Sequence, residues 1–264
     1  MSDPHLPVEM LDHVVDHLHN KPGTLKQCCL VSKSWIPRTR KHLFANVRFL
    51  AAEDLRSWRE TFPNPSTSPA RYTKTLYIGP HVVTAADSEV DSGIRGFSRV
   101  EHLVVGSRGS DVDTSEASFI PFRGFSPILK SLRVDVPTLP SAQIFNLILS
   151  FPLLEDLATI IHETSAGSGD GSGENEMLVT AQPSRSSTFT GSLELHLEGG
   201  MGPFARQLLS LQGGIHFRKL IVTWIREEDP LTTMALVGAC AHTLESLNIS
   251  KSYCTSIQHL RVHQ

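Results

Sequence analysis

The sequence predicts an α/β protein in two unequal parts, a small N-terminal unit of three helices followed by an irregular solenoid of alternating strands and helices. Three observations carry that prediction. From Leu6 to Phe49 the apolar residues fall at helical spacing. Beyond residue 71, short alternating runs return with a leucine at 76, 103, 132, 157, 195, 220 and 247, at intervals of 27, 29, 25, 38, 25 and 27. Between these runs lie amphipathic stretches long enough for a helix. One strand and one helix cannot bury their apolar faces alone, so neighbouring units must stack into a continuous core.

In the N-terminal unit, Pro7 suits a first helical position, where its missing N–H costs nothing, and Glu9 in the first turn complements the helix dipole. Met10, Leu11, Val14, Val15 and Leu18 form an apolar stripe, which Asn20, Pro22 and Gly23 bring to an end. Leu25, Cys28, Cys29, Val31, Ser32 and Trp35 repeat the period in a second helix. Pro37 kinks that helix or begins a third, which carries Arg38, Arg40, Leu43 and Phe44. Three helices in about 45 residues make a core too small to stand without a metal, a disulfide or a partner. Part of the stripe therefore needs cover, from the repeats or from another protein.

Leu6-Pro7-x-Glu9, then Leu25-x-x-Cys28-x-Leu30-Val31-Ser32-x-x-Trp35, then Arg40-x-x-Leu43-Phe44 together resemble the F-box, in the variety abundant in mushroom-forming fungi. Ser32 stands where many members carry cysteine. The resemblance places an F-box of three helices over 1–50. It implies that these helices pack against the C-terminal helices of a Skp-family adaptor, which connects the receptor to a cullin scaffold and a RING-bearing subunit. Carried over, Leu6, Pro7, Leu11, Val15, Leu25, Cys28, Leu30, Val31 and Trp35 are candidates for the adaptor interface or its immediate support. The expected function is that of a substrate-receptor subunit of an SCF-type ubiquitin ligase, a non-catalytic role in which other subunits transfer the ubiquitin; the alternatives are an adaptor-binding scaffold without a role in ubiquitination, or an enzyme whose helical N-terminus only mimics an F-box.

A linker is expected over 51–71, where prolines and small polar residues gather between 61 and 70. The repeats then occupy 72–264. Val100/Leu103/Val105, Leu129/Leu132/Val134, Phe217/Leu220/Val222 and Leu244/Leu247/Ile249 keep the apolar-x-x-Leu-x-apolar pattern in full, and helices are expected over 141–151, 203–211 and 230–241. One strand plus one helix per unit resembles the leucine-rich repeat, without the asparagine or cysteine that usually closes its strand motif. The alternative is a generic α/β domain. The longest interval contains a Gly/Ser-rich acidic tract over 163–176, expected to be a disordered insertion. The chain ends on Ile257, Leu260 and Val262, half a repeat, so the expectation is an array shorter than its relatives or a truncated gene model. Lys130, Ser131, Arg133, Glu194, His196, Lys219, Glu245 and Asn248 are candidates for an exposed face that meets a protein target.

Composition narrows the function classes. A hydrophobic fraction of 40% and a charged fraction of 19% belong to an ordinary globular protein, and a net charge of -3 gives no reason to expect nucleic acid. No apolar run approaches the roughly 20 residues that span a bilayer, and no signal peptide opens the chain, so no membrane is expected and the location is intracellular. Cys28, Cys29, Cys240 and Cys254 have neither zinc nor disulfide spacing and are expected as reduced thiols. Without a secretory route, the Asn248-Ile-Ser250 acceptor is unused. His13 and His17 share a helix face but lack the neighbouring glutamate of zincins, while Asp170, Glu174 and Glu176 miss the spacing of a calcium loop. No nucleophile elbow or phosphate loop is present. No catalytic residue, metal or cofactor is therefore expected.

Overall fold

The computed structural model of the chain describes residues 7–83, 93–106, 122, 125–136, 141–161, 189–197, 202–211, 213–224 and 230–251. Leu6, the tract over 163–176, Cys254 and the half-repeat at Ile257, Leu260 and Val262 lie outside them. Three helices open the chain: α1 (Val8–His17), α2 (Pro22–Val31) and α3 (Ile36–Leu43), with a 3-10 turn at Lys33–Trp35 before α3. Pro7 caps α1 rather than beginning it, its carbonyl accepting from the N–H groups of Met10 and Leu11 at 3.0 and 3.3 Å. Pro22 and Pro37 lie in the first turns of α2 and α3, where an absent N–H forfeits no helical bond.

Among the described residues eight strands follow: β1 (Asn46–Phe49), β2 (Thr75–Ile78), β3 (His102–Gly106), β4 (Ser131–Asp135), β5 (Asp156–Ile161), β6 (Ser192–Leu197), β7 (Lys219–Trp224) and β8 (Ser246–Lys251). They form one sheet whose spatial order is the chain order, and every pair is parallel. Helix α4 (Ala52–Thr61) and a helical turn, α5 (Pro80–Val83), belong to the first connections. Helices α6 (Ser141–Ile148), α7 (Gly202–Leu209) and α8 (Pro230–Cys240) belong to later ones and lie within a residue or a turn of the stretches expected.

Alternation divides the sheet into two faces. On one, Val47, Leu76, Leu103, Leu132, Leu157, Leu193, Leu220 and Leu247 stand side by side across all eight strands. All but Leu247, on β8, are buried, together with Phe151, Phe204, Phe217 and Leu208. The landmark of the sixth strand is thus Leu193, where the recurrence suggests Leu195. Three leucines alternate in Ser-Leu-Glu-Leu-His-Leu, and a slip by two keeps the same face, so only pairing with Leu157 and Leu220 selects the register.

The stretch expected as a linker is structured. Asp54 accepts from the N–H groups of Leu50 and Ala51 at 2.8 and 3.0 Å, which starts α4, and α4 buries Leu55. Trp58 of this helix meets Phe44, Phe49, Phe62 and Phe97 with ring centroids 4.8–5.8 Å apart, an aromatic cap over the first strands. β1, in turn, lies within the span assigned to the helical unit yet is the first strand of the sheet. Helix α3 also packs on the 3-10 turn Pro69–Tyr72, so the helical unit and the sheet share a boundary at both ends of that connection.

Candidate functional site

Two surfaces carry the candidates named from sequence. On the helical unit, Asp16 of α1 joins α3: it accepts from Arg38 through both carboxylate oxygens, Nε at 2.6 Å, and pairs with the His42 ring nitrogen at 2.7 Å. Hydrogen bonds from Arg38 and then from His42 hold the Asp16 carboxyl well below the usual carboxylate range. Thr39, fully buried, donates to the Trp35 carbonyl at 2.7 Å. These bonds tie α1 and the 3-10 turn to α3 in a unit with only a minimal apolar core.

That core contains Val15, Leu25 and Cys28, which are buried and pack the unit from within. Leu11 and Trp35 are half-buried, and Pro7 is exposed. Leu30 and Val31, at the end of α2, are 87% and 70% exposed, and on α1 Met10 and Val14 are 57% and 50% exposed. Met10 and Val14 belong to the predicted helical stripe but are not among the candidates that the F-box resemblance implies for the interface. The stripe is wider than the three-helix core, so its outer residues remain on the surface.

The second surface is the sheet face opposite the leucine row. Its central row runs Arg48, Tyr77, Val104, Arg133, Ala158, Glu194, Ile221 and Asn248 across the eight strands. The Arg48 guanidinium lies 5.9 Å from the Tyr77 ring centroid. Arg133 donates to Asp135 at 2.8 Å and approaches Glu194 at 3.9 Å, while Glu194 pairs with His196 at 2.7 Å. Strand β5 lies between the two partners, and its residue in this row is Ala158, short enough for Arg133 to pass over. Arg133, Glu194 and His196 thus form one network with Asp135, whereas Ser131 and Lys219 lie one row away and Asn248 is exposed on β8.

Lys130 and Glu245 are not on that face. They precede β4 and β8, in a ladder where the carbonyl of a residue before one strand accepts two N–H groups at the start of the next: Lys74 from Glu101 and His102, Glu101 from Lys130 and Ser131, Lys130 from Glu155 and Asp156, Arg218 from Glu245 and Ser246. From Lys74 through Glu101 and Lys130 to Glu155 the ladder alternates in sign, and Glu101 lies 3.6 Å from Lys74 and 3.9 Å from Lys130.

His13 and His17 approach to 3.2 Å between Nε2 atoms, and among the described residues no group of three or more His, Cys, Asp or Glu could hold a metal ion. Nor is any described helix long and apolar enough to cross a membrane. Cys28, Cys29 and Cys240 are free thiols. Compared with known proteins, the chain matches no family model, and no curated protein matches it.

Proposed function

We propose that this chain is the substrate-receptor subunit of a cullin-RING ubiquitin ligase, holding a Skp-family adaptor with its helical unit and a protein target with its sheet. The exposure of Leu30 and Val31 on a helix whose opposite side packs through Leu25 and Cys28 carries the reading. Large aliphatic side chains at the end of a well-formed helix cost free energy in water and gain it under a partner. A stable interface buries roughly 1,200 to 2,000 Å² and is dominated by a few anchors. Leu30, Val31, Met10 and Val14, with Pro7, Leu11 and Trp35 beside or beneath them, are those anchors in this reading.

The sheet supports the second half of the proposal as a leucine-rich-repeat-type solenoid. Its strands return in register every 25 to 29 residues except between Leu157 and Leu193, and among the described residues each pairs with its chain neighbours alone. The face around Arg133, Glu194 and His196 then meets the target, and the receptor performs no bond chemistry of its own.

Co-expression with a Skp-family adaptor tests the assignment. Wild type is expected to elute with the adaptor as a stoichiometric complex, and Leu30→Asp with Val31→Asp to elute alone with an unchanged melting temperature. A wild-type monomer indifferent to the adaptor would end the receptor reading.

A further inference from the structure

Among the described residues, β8 has a strand on one side only, β7. Ser246 donates its N–H to the Arg218 carbonyl at 3.0 Å. Alternation along a parallel ladder then turns the backbone groups of Ser246, Asn248 and Ser250 toward β7 and those of Leu247 and Ile249 toward the outer edge. The side chains of Leu247 and Ile249 lie on the core face of the sheet, yet they are 47% and 49% exposed where their neighbours Leu220 and Val222 are fully buried. Helix α8, which leads into β8, adds Leu231 and Met234 at 83% and 69% exposed. Ala235 and Gly238 complete that face, and a Cβ on Gly238 would meet nothing within 4 Å. Sheet edges are ordinarily guarded by proline, by a bulge or by an inward charge, whereas β8 places leucine and isoleucine at its inward positions.

We propose that this edge binds a second copy of the chain, β8 pairing antiparallel with β8 about a two-fold axis at Asn248. The sequence Glu-Ser-Leu-Asn-Ile-Ser-Lys over 245–251 is self-complementary about its centre. Set against its own reverse, it brings Leu247 opposite Ile249, Ser246 opposite Ser250 and Glu245 opposite Lys251, and the two-fold axis repeats each pair. Leu247 and Ile249 are the residues whose N–H and C=O groups face outward, so this register makes them hydrogen-bonded pairs and returns their side chains to a covered face. An axis at Leu247 or Ile249 instead sets an apolar residue opposite Glu245 or Lys251. A stable interface takes roughly 800 Å² from each copy, more than a six-residue edge supplies, and the outer face of α8 completes it. Two strand spacings of about 4.8 Å set α8 roughly 10 Å from its copy, the distance at which helices pack. The joined sheet carries the network of Arg133, Glu194 and His196 twice on one side, and the pairing is independent of the receptor reading.

Sedimentation of the full chain over a range of concentrations tests the pairing. The mass is expected to rise from 29.1 kDa toward twice that value. Hydrogen exchange at Leu247 and Ile249, fast in dilute solution, is expected to slow as the dimer fills. Ile249→Pro removes a donor that β7 does not use, so it is expected to leave the chain monomeric at every concentration with β7 and β8 still paired. Where that variant lowers the melting temperature, charge reversal decides: Glu245→Lys alone and Lys251→Glu alone are each expected to weaken the dimer at least tenfold, and the two together to restore it. A chain that stays monomeric throughout overturns the proposal, as does a dimer indifferent to both kinds of variant. Protection of Leu247 and Ile249 that does not change with concentration overturns it as well, since the edge is then covered within one chain. Adaptor co-elution is expected to be the same for all these variants, so its failure refutes the receptor reading and leaves the dimer standing.

Discussion

Asp16 shows how much a single side chain contributes when a helical unit has little core. With its carboxyl held far below the ordinary range by Arg38 and His42, Asp16 is ionised in the folded protein at every ordinary pH. A depressed folded value means that the stabilisation is fully present above the unfolded value of about 3.9 and fades as the pH falls through the folded one. Asp16→Asn is therefore expected to lower stability by up to about 1 kcal/mol near neutrality, the range of a partly exposed ion pair. Thermal melts between pH 7 and pH 3 check the sign: the gap between variant and wild type should narrow only toward the acid end. Gly106 makes a backbone counterpart. Its φ of 98° lies in the left-handed region, and a Cβ there would overlap the carbonyl oxygen of Asp135 on the neighbouring strand. Gly106→Ala is expected to cost about 2 to 3 kcal/mol, read as a lowered denaturation midpoint.

Within one element, α2 divides its labour between two faces. Leu25 and Cys28 point inward and Leu30 and Val31 outward, so equal truncations should have unequal effects. Leu25→Ala is expected to cost about 2 to 5 kcal/mol through the cavity it leaves, and Leu30→Ala to leave chemical denaturation unchanged while weakening adaptor binding. Equal destabilisation by the two would make Leu30 part of a core. The strands divide in the same way. In β4, Leu132 and Val134 are buried while Arg133 reaches over Ala158 to Glu194. Alternation with a period of two made Arg133 and Glu194 recognisable as outward residues, but their approach to each other depends on the pairing of β4, β5 and β6.

At the scale of the molecule, described strands that each pair with their chain neighbours make cohesion a sum of successive contacts. The first strands are closed by the aromatic cluster around Trp58 and Phe97, whereas the inward Leu247 and Ile249 of β8 are exposed among the described residues. In dilute solution, amide hydrogen exchange is expected to follow that gradient, slowest in β3 to β6 and fastest in β8. Uniform protection from β1 to β8 would show a single cooperative unit instead. Phe97→Ala should shorten the protected region from the other side, since it removes a ring that touches both Phe49 and Trp58.

Periodicity alone determined the α/β class, the three N-terminal helices and most strand positions, because inward residues must recur at 3.6 or 2 whatever they pack against. It was blind where a short segment carries no such period. β1, with four residues and a valine at the landmark, reads from sequence as the tail of a helix, and α4 lies in a stretch dominated by charge and the prolines that follow. The choice of Leu193 over Leu195 and the burial of Val15, Leu25 and Cys28 against the exposure of Leu30 belong to the tertiary structure alone. Each depends on a neighbour distant in the chain, and spacing along a sequence carries no information about which distant residue will be that neighbour.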